Sequence, residues 1–149
     1  MLKTEKTMSA LVLAATMFAG LPAAHADTSK LEIVVEQARN LRGRVRCGLY
    51  NQPDGYPTEP QKALRKASAP VVRNRATIVF ENLEAGAYAV ACYHDEDNNN
   101  EMKANFIGIP QEGTAASNDA EGSFGPPSFK DAALKYSGGA LQHRIKLTY

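Results

Sequence analysis

The sequence predicts an all-β fold, a single antiparallel β-sandwich with a long ordered loop and short helical pieces. Three observations carry this expectation. Short stretches alternate apolar and polar residues with period two, turn residues separate them, and only brief segments suit a helix. Across 31–37, Leu31, Ile33 and Val35 alternate with Glu32, Val34 and Glu36, giving a half-buried strand with one lapse at Val34. Across 44–50, Val45, Cys47 and Leu49 share one face and Arg44, Arg46 and Gly48 the other, and Asn51-Gln52-Pro53-Asp54-Gly55 closes the strand as a turn. Residues 58–67 suit a short helix, with Thr58 as N-cap and Pro60 in the first turn. Short strands follow at 71–72 and 77–80. The clearest strand is 88–94, with Tyr88, Val90 and Cys92 on one face and Ala89 and Ala91 on the other. The turn before it delivers Tyr88 as in a tyrosine corner, where the hydroxyl ties back to nearby backbone. A last strand is expected at 143–149, where Ile145, Leu147 and Tyr149 alternate with Arg144, Lys146 and Thr148.

Of the 149 residues, the first 26 read as a secretory signal. Lys3 and Lys6 precede an apolar run from Leu11 to Ala24, and Ala24-His25-Ala26 supplies an A-x-A cleavage site before Asp27. Gly20 and Pro22 make the run too short and broken for a comfortable bilayer span, and no cysteine lies at the cleavage point to carry a lipid. The expected product is one domain, 27–149, periplasmic or secreted, with no membrane anchor. It has 123 residues, with 15 basic and 15 acidic side chains. Segment 27–75 holds 10 basic and 5 acidic residues, and segment 76–149 holds 5 and 10. That asymmetry fits self-association, a cation site in the acidic half, or ordinary solvated surface. Export, the balanced charge and the lack of an aromatic stacking platform argue against nucleic acid as a partner. The cluster Arg42, Arg44 and Arg46 reads instead as a solvent-facing strand edge.

Cys47 and Cys92 enter an oxidising compartment as an even pair, which favours one disulfide over buried thiols or a metal pair. Both lie on alternating strands, so a bridge joining the two sheets through the core is expected. Closing a loop of this length stabilises by roughly 4 kcal/mol on the chain-entropy account.

Residues 95–130 are the anomaly, 36 residues with four Asn before Phe106, four Gly, three Pro and no long element. Connections of that length in a compact domain are functional or specifically held. Ser128 begins a capping box expected to start a short helix through Leu134. In His94-Asp95-Glu96-Asp97-Asn98-Asn99-Asn100-Glu101, the residues Asp95, Asp97 and Asn99 fall at positions one, three and five of a calcium loop. With Glu101 they are the candidate ligands for a weakly held Ca2+. Asn100 stands where such loops want a left-handed residue. Lys103 and Phe106 stand where further ligands belong, so Lys103 is a candidate internal counter-ion for Asp95 and Asp97. Glu112 is a possible remote ligand, although nothing in the sequence places it there. The competing reading is a polar loop held by Asx turns.

Phe106, Ile107, Ile109, Phe124 and Phe129 make the same segment apolar, either as a lid packed on the sandwich or, with His94, as the lining of a groove for a protein, peptide or small ligand. The pieces of a hydrolase are present in His94 with Asp95, His143, Ser117, Ser123 and Ser128, but no motif arranges them. The expectation is therefore a non-catalytic binding or accessory module. The alternatives are a calcium-stabilised structural domain and a hydrolase with His94 at its site.

Three blocks resemble one bacterial family, domain-of-unknown-function family 2141. They are Gly86-Ala87-Tyr88-Ala89-Val90-Ala91-Cys92-Tyr93-His94-Asp95-Glu96-Asp97, Asn105-Phe106-Ile107-Gly108-Ile109-Pro110-Gln111-Glu112-Gly113, and Phe124-Gly125-Pro126-Pro127-Ser128-Phe129-Lys130-Asp131-Ala132-Ala133. The resemblance implies an exported protein with a transthyretin-like or carboxypeptidase-regulatory-like β-sandwich, and it supplies no reaction. The family's loop reads His-Asp-Glu-Asn-Gly-Asn-Gly followed shortly by Leu-Asp. This chain keeps His94, Asp95, Glu96 and Asn99, has Asn98 and Asn100 for the glycines, and has Lys103 for the later Asp. A cation held by relatives would here be lost or replaced by an amine.

Overall fold

The computed structural model describes residues 29–149; the expected signal segment lies outside them. Strands β1 (Lys30–Glu36), β2 (Arg44–Tyr50), β3 (Arg65–Pro70), β4 (Ala76–Glu81), β5 (Gly86–Asp95), β6 (Thr114–Ala116), β7 (Leu134–Tyr136) and β8 (Ala140–Lys146) form two sheets. One has the order β4-β1-β8 and the other β3-β2-β5-β6, with β7 also pairing β5. The alternation read from the sequence becomes the core. Leu31, Ile33 and Val35 of β1, Ile78 and Phe80 of β4, and Ile145 of β8 face Val45, Leu49, Tyr88 and Val90 of the other sheet. All are nearly inaccessible to water, each side chain contributing about 1.5–3 kcal/mol by burial. The Tyr88 hydroxyl donates to the Glu84 carbonyl at 2.9 Å, the expected tyrosine corner.

Three local expectations give way to tertiary pairing. Instead of a helix over 58–67 there is one 3-10 turn, Pro60–Lys62, followed by β3. Glu59 rather than Thr58 stands at the N-cap position, and no side chain caps the turn. Pairing with β2 from Arg44↔Pro70 to Leu49↔Arg65 gives these residues a full ladder, with Ala67 and Ala69 turned to the core. The strand expected at 143–149 is shifted to β8, which runs parallel to β1, so one sheet is mixed. Beyond β8, Leu147 donates its N–H to Glu36 and Thr148 bridges to Thr114. Segment 95–130 contains β6, a 3-10 turn at Ser117–Asp119 and the start of the helix α1 (Phe129–Ala132), which Ser128 caps by accepting the Asp131 N–H. The helix ends before Leu134, which begins β7.

The disulfide Cys47–Cys92 is present, but it does not join the sheets. Cys47 and Cys92 are directly opposed on the neighbouring strands β2 and β5, with Cα atoms 4.1 Å apart, the close spacing of an antiparallel pair. Both sulfurs face the core, so the bridge fixes register within one sheet.

Candidate functional site

The strand directions place four segments at one end of the sandwich: 37–43, 71–75, 96–113 and 147–149. The expected anomaly lies here, and β5 delivers its first two residues. Side chains alternate along a strand, so His94 follows Cys92 to the core side and Asp95 emerges on the opposite face. Both are fully buried.

Asp95 organises the loop. Its Oδ2 accepts from Arg46 Nε at 2.5 Å and from the Asn100 N–H at 3.0 Å, and its Oδ1 accepts from the Asn99 N–H at 3.1 Å. Arg46 lies opposite Tyr93, so Asp95 is its diagonal neighbour, two residues farther along β5. The turn needs left-handed backbone at Asn98 (φ 57°) and Asn100 (φ 64°), which Asn tolerates better than most residues. Gly43 (φ 63°) closes over this strand end, and a Cβ there would sit 1.8 Å from the Asp95 carbonyl oxygen.

Glu112 completes the base. Buried like Asp95, it accepts the Glu96 N–H with Oε1 and the Lys103 N–H with Oε2, both at 3.1 Å. It thereby ties the two ends of the loop together. Lys103 pairs with Asp97 through Nζ, whereas Asp95, which it was also expected to neutralise, pairs with Arg46 instead. The Lys103 hydrogen bond holds the Asp97 carboxyl below its usual range, and Asp97 in turn raises the ammonium. Asp95, Asp97 and Glu112 bring carboxylate oxygens within 4.8 Å of one another. Of the candidate cation ligands, then, Asp95 and Asp97 converge with Glu112. Asn99 turns its Oδ1 to the Glu101 N–H, and Glu101 is exposed outside the cluster. The oxygens that would coordinate a cation already accept from Arg46, Lys103 and four backbone amides.

A second network holds the neighbouring segments. His94 Nε2 lies 2.6 Å from the Arg42 carbonyl oxygen and Nδ1 lies 2.8 Å from the Tyr149 hydroxyl. A carbonyl only accepts, so Nε2 carries a proton; in the neutral ring Nδ1 accepts from the Tyr149 hydroxyl, whose oxygen accepts the Arg39 N–H at 3.1 Å. The Arg39 guanidinium lies over the Tyr149 ring, 4.5 Å from its centroid, and pairs with Glu96. Burial alone would raise the Glu96 carboxyl, but the Asn40 hydrogen bond and the Arg39 guanidinium outweigh it and hold it below its usual range. The buried Glu96 Oε1 meets Arg39 Nη2 at 2.5 Å as an ion pair without hydrogen-bond alignment. Gly113 leaves room for the Tyr149 ring, which a Cβ there would approach to 2.5 Å.

The other candidate residues separate. Phe129 is half-buried, edge-to-face with Tyr56 at 5.9 Å. Phe106, Ile107, Ile109 and Phe124 do not pack down as a lid: they are 100%, 63%, 54% and 105% exposed. Phe106, Ile107 and Ile109 stand on a closed tip in which Ala104 bridges Pro110 and the Asn105 side chain accepts the N–H groups of Ile107 and Ile109. Ser117 is buried, donating to the Ala132 carbonyl and accepting the Val90 N–H, Ser128 caps α1, and His143 accepts the Asn118 N–H. Among the described residues, the surface hollows include a polar one of about 260 Å³ among Arg42, Lys103 and Glu112, and one of about 490 Å³ between Ala87 and Tyr136. Neither is an apolar groove beneath 104–130.

The sequence reading missed the roles of Arg46, Arg39 and Tyr149. The arginine cluster is not a strand edge, because β2 lies between β3 and β5. A usable signal existed: setting Cys47 opposite Cys92 sets Arg44 opposite Asp95 and brings Arg46 within reach of it.

With this geometry in place, the comparison with known families is specific. Residues 33–144 match the family described as an uncharacterized protein conserved in bacteria, domain of unknown function 2141, and the chain belongs to it. No curated protein and no solved structure shows significant similarity to the chain.

Proposed function

We propose that this family member is an exported, non-catalytic binding or accessory module that meets its partner through the tip of the 96–113 loop. The observation that carries the reading is the combination of a closed, hydrogen-bonded tip with three large apolar side chains, Phe106, Ile107 and Ile109, left in water. A contiguous exposed run of this kind disfavours solubility and is retained where it serves an interface. Export is supported by the A-x-A pattern before Asp27 and by a disulfide of the kind that persists in oxidising compartments. Against the hydrolase alternative, His94 is buried with both ring nitrogens engaged, and Ser117 spends its hydroxyl on backbone. The calcium alternative would require an ion to displace Lys103 from Asp97.

The test is photo-crosslinking in living cells, with a photoreactive residue at Phe106 and, as control, at the exposed strand position Thr77. Adducts formed at 106 and not at 77 are the expected result. Equal labelling at both positions, or no adduct to protein or to lipid at either, would overturn the reading.

A further inference from the structure

We infer that the loop end of the sandwich docks on an anionic phospholipid surface. The inference rests on the binding-module reading above and names the partner for that face. Of the ten large apolar side chains left exposed among the described residues, seven lie in the segments at this end: Leu41, Val72, Met102, Phe106, Ile107, Ile109 and Tyr149. The segments touch one another. The Ala38 N–H donates to the Asn74 carbonyl, joining 37–43 to 71–75, and Arg39 stacks on Tyr149, which is bonded to His94 beside the 96–113 loop. Arg42 and Lys103 share the polar hollow between the first and third segments. The apolar side chains therefore share one end of the sandwich, its crest.

The charge on that crest selects the partner. Asp95, Glu96 and Asp97 are cancelled by Arg46, Arg39 and Lys103, and Glu112 is buried on backbone amides. The exposed arginines Arg42, Arg73 and Arg75 have no ion-pair partner among the described residues, and Glu101 is the one exposed side-chain carboxylate of these segments without a cationic partner. Uncancelled cations beside exposed aromatic and aliphatic side chains are the composition that enters the headgroup region of an acidic bilayer. Shape decides between a lipid and a protein partner. Phe106, wholly exposed, stands on a projecting tip rather than in a hollow, and a fluid interface admits a projecting tip without a complementary groove.

Flotation of the purified protein with vesicles tests this. Binding is expected to phosphatidylethanolamine vesicles containing phosphatidylglycerol, with little to phosphatidylcholine alone, and it should weaken as salt rises. The double substitution Phe106→Ser/Ile107→Ser should lower affinity about tenfold or more, and Arg73→Ala/Arg75→Ala also about tenfold or more, each arginine contributing roughly fivefold. All four positions are exposed, so an unchanged Tm verifies folding. Absence of flotation with acidic vesicles, or equal flotation with neutral ones, overturns the inference. A protein adduct at 106 in cells, together with no vesicle binding, would sink the lipid assignment while leaving the binding-module reading intact. No adduct and no flotation would remove both.

Discussion

The base and the tip of the 96–113 loop solve opposite problems within a few residues. At the base, charged groups are taken out of water and nearly every polar atom is matched: Asp95 to Arg46 and two amides, Glu112 to two more, Glu96 to Arg39 and Asn40. At the tip the backbone is equally well tied by Asn105, yet Phe106 is wholly exposed and Ile107 and Ile109 are each more than half exposed. Conformational order at the tip therefore comes from backbone hydrogen bonds and from the base beneath it. This separation lets a loop present apolar side chains without needing them for its own stability.

The contrast can be broken most strongly at Asp95. Asp95→Ala leaves Arg46 and the Asn99 and Asn100 amides without their acceptor at a buried site, and urea unfolding should show a loss of about 3–5 kcal/mol. A loss below about 1 kcal/mol would mean that the base does not organise the loop. The next effect depends on pH. The folded Glu96 carboxyl titrates below the ordinary 4.5, so it contributes stability that is present above pH 4.5 and lost as pH falls through its folded value. Glu96→Gln should flatten the decline of Tm below pH 4.5, and an unaltered acid limb would contradict this. At the tip, Phe106→Ser and Ile107→Ser should each change stability by no more than about 0.5 kcal/mol in the same unfolding assay. A larger cost would mean that those side chains pack against the protein. The smallest effect concerns calcium. Because Lys103 already neutralises Asp97, Tm should be the same with EDTA and with millimolar calcium. A rise with calcium would show that an ion displaces the lysine.

Much of the base was legible in the chain. Asx chemistry at Asp95, Asp97 and Asn99, a left-handed Asn100 and an internal role for Lys103 all follow from local preferences of those residues, and the structure places them accordingly. Glu112 was not assignable, because 16 residues of loop lie between it and Asp95 and loop length carries no directional information. The outward stance of Phe106 was equally hidden, since apolar composition alone fits a lid or a lining as well as a crest.

What the sequence determined by itself is what depends on near neighbours along the chain. Period-two alternation set the strand faces, turn residues set their ends, the Tyr88 corner followed its turn, and the two cysteines identified the disulfide. The tertiary structure decided what depends on competition between distant partners. The weak segment 65–70 became a strand because β2 offered its backbone a ladder, β8 joined β1 in parallel, and the disulfide fell within one sheet. Local propensities differ by a few tenths of a kcal/mol per residue, so an available hydrogen-bonding edge and a face to bury outweigh them.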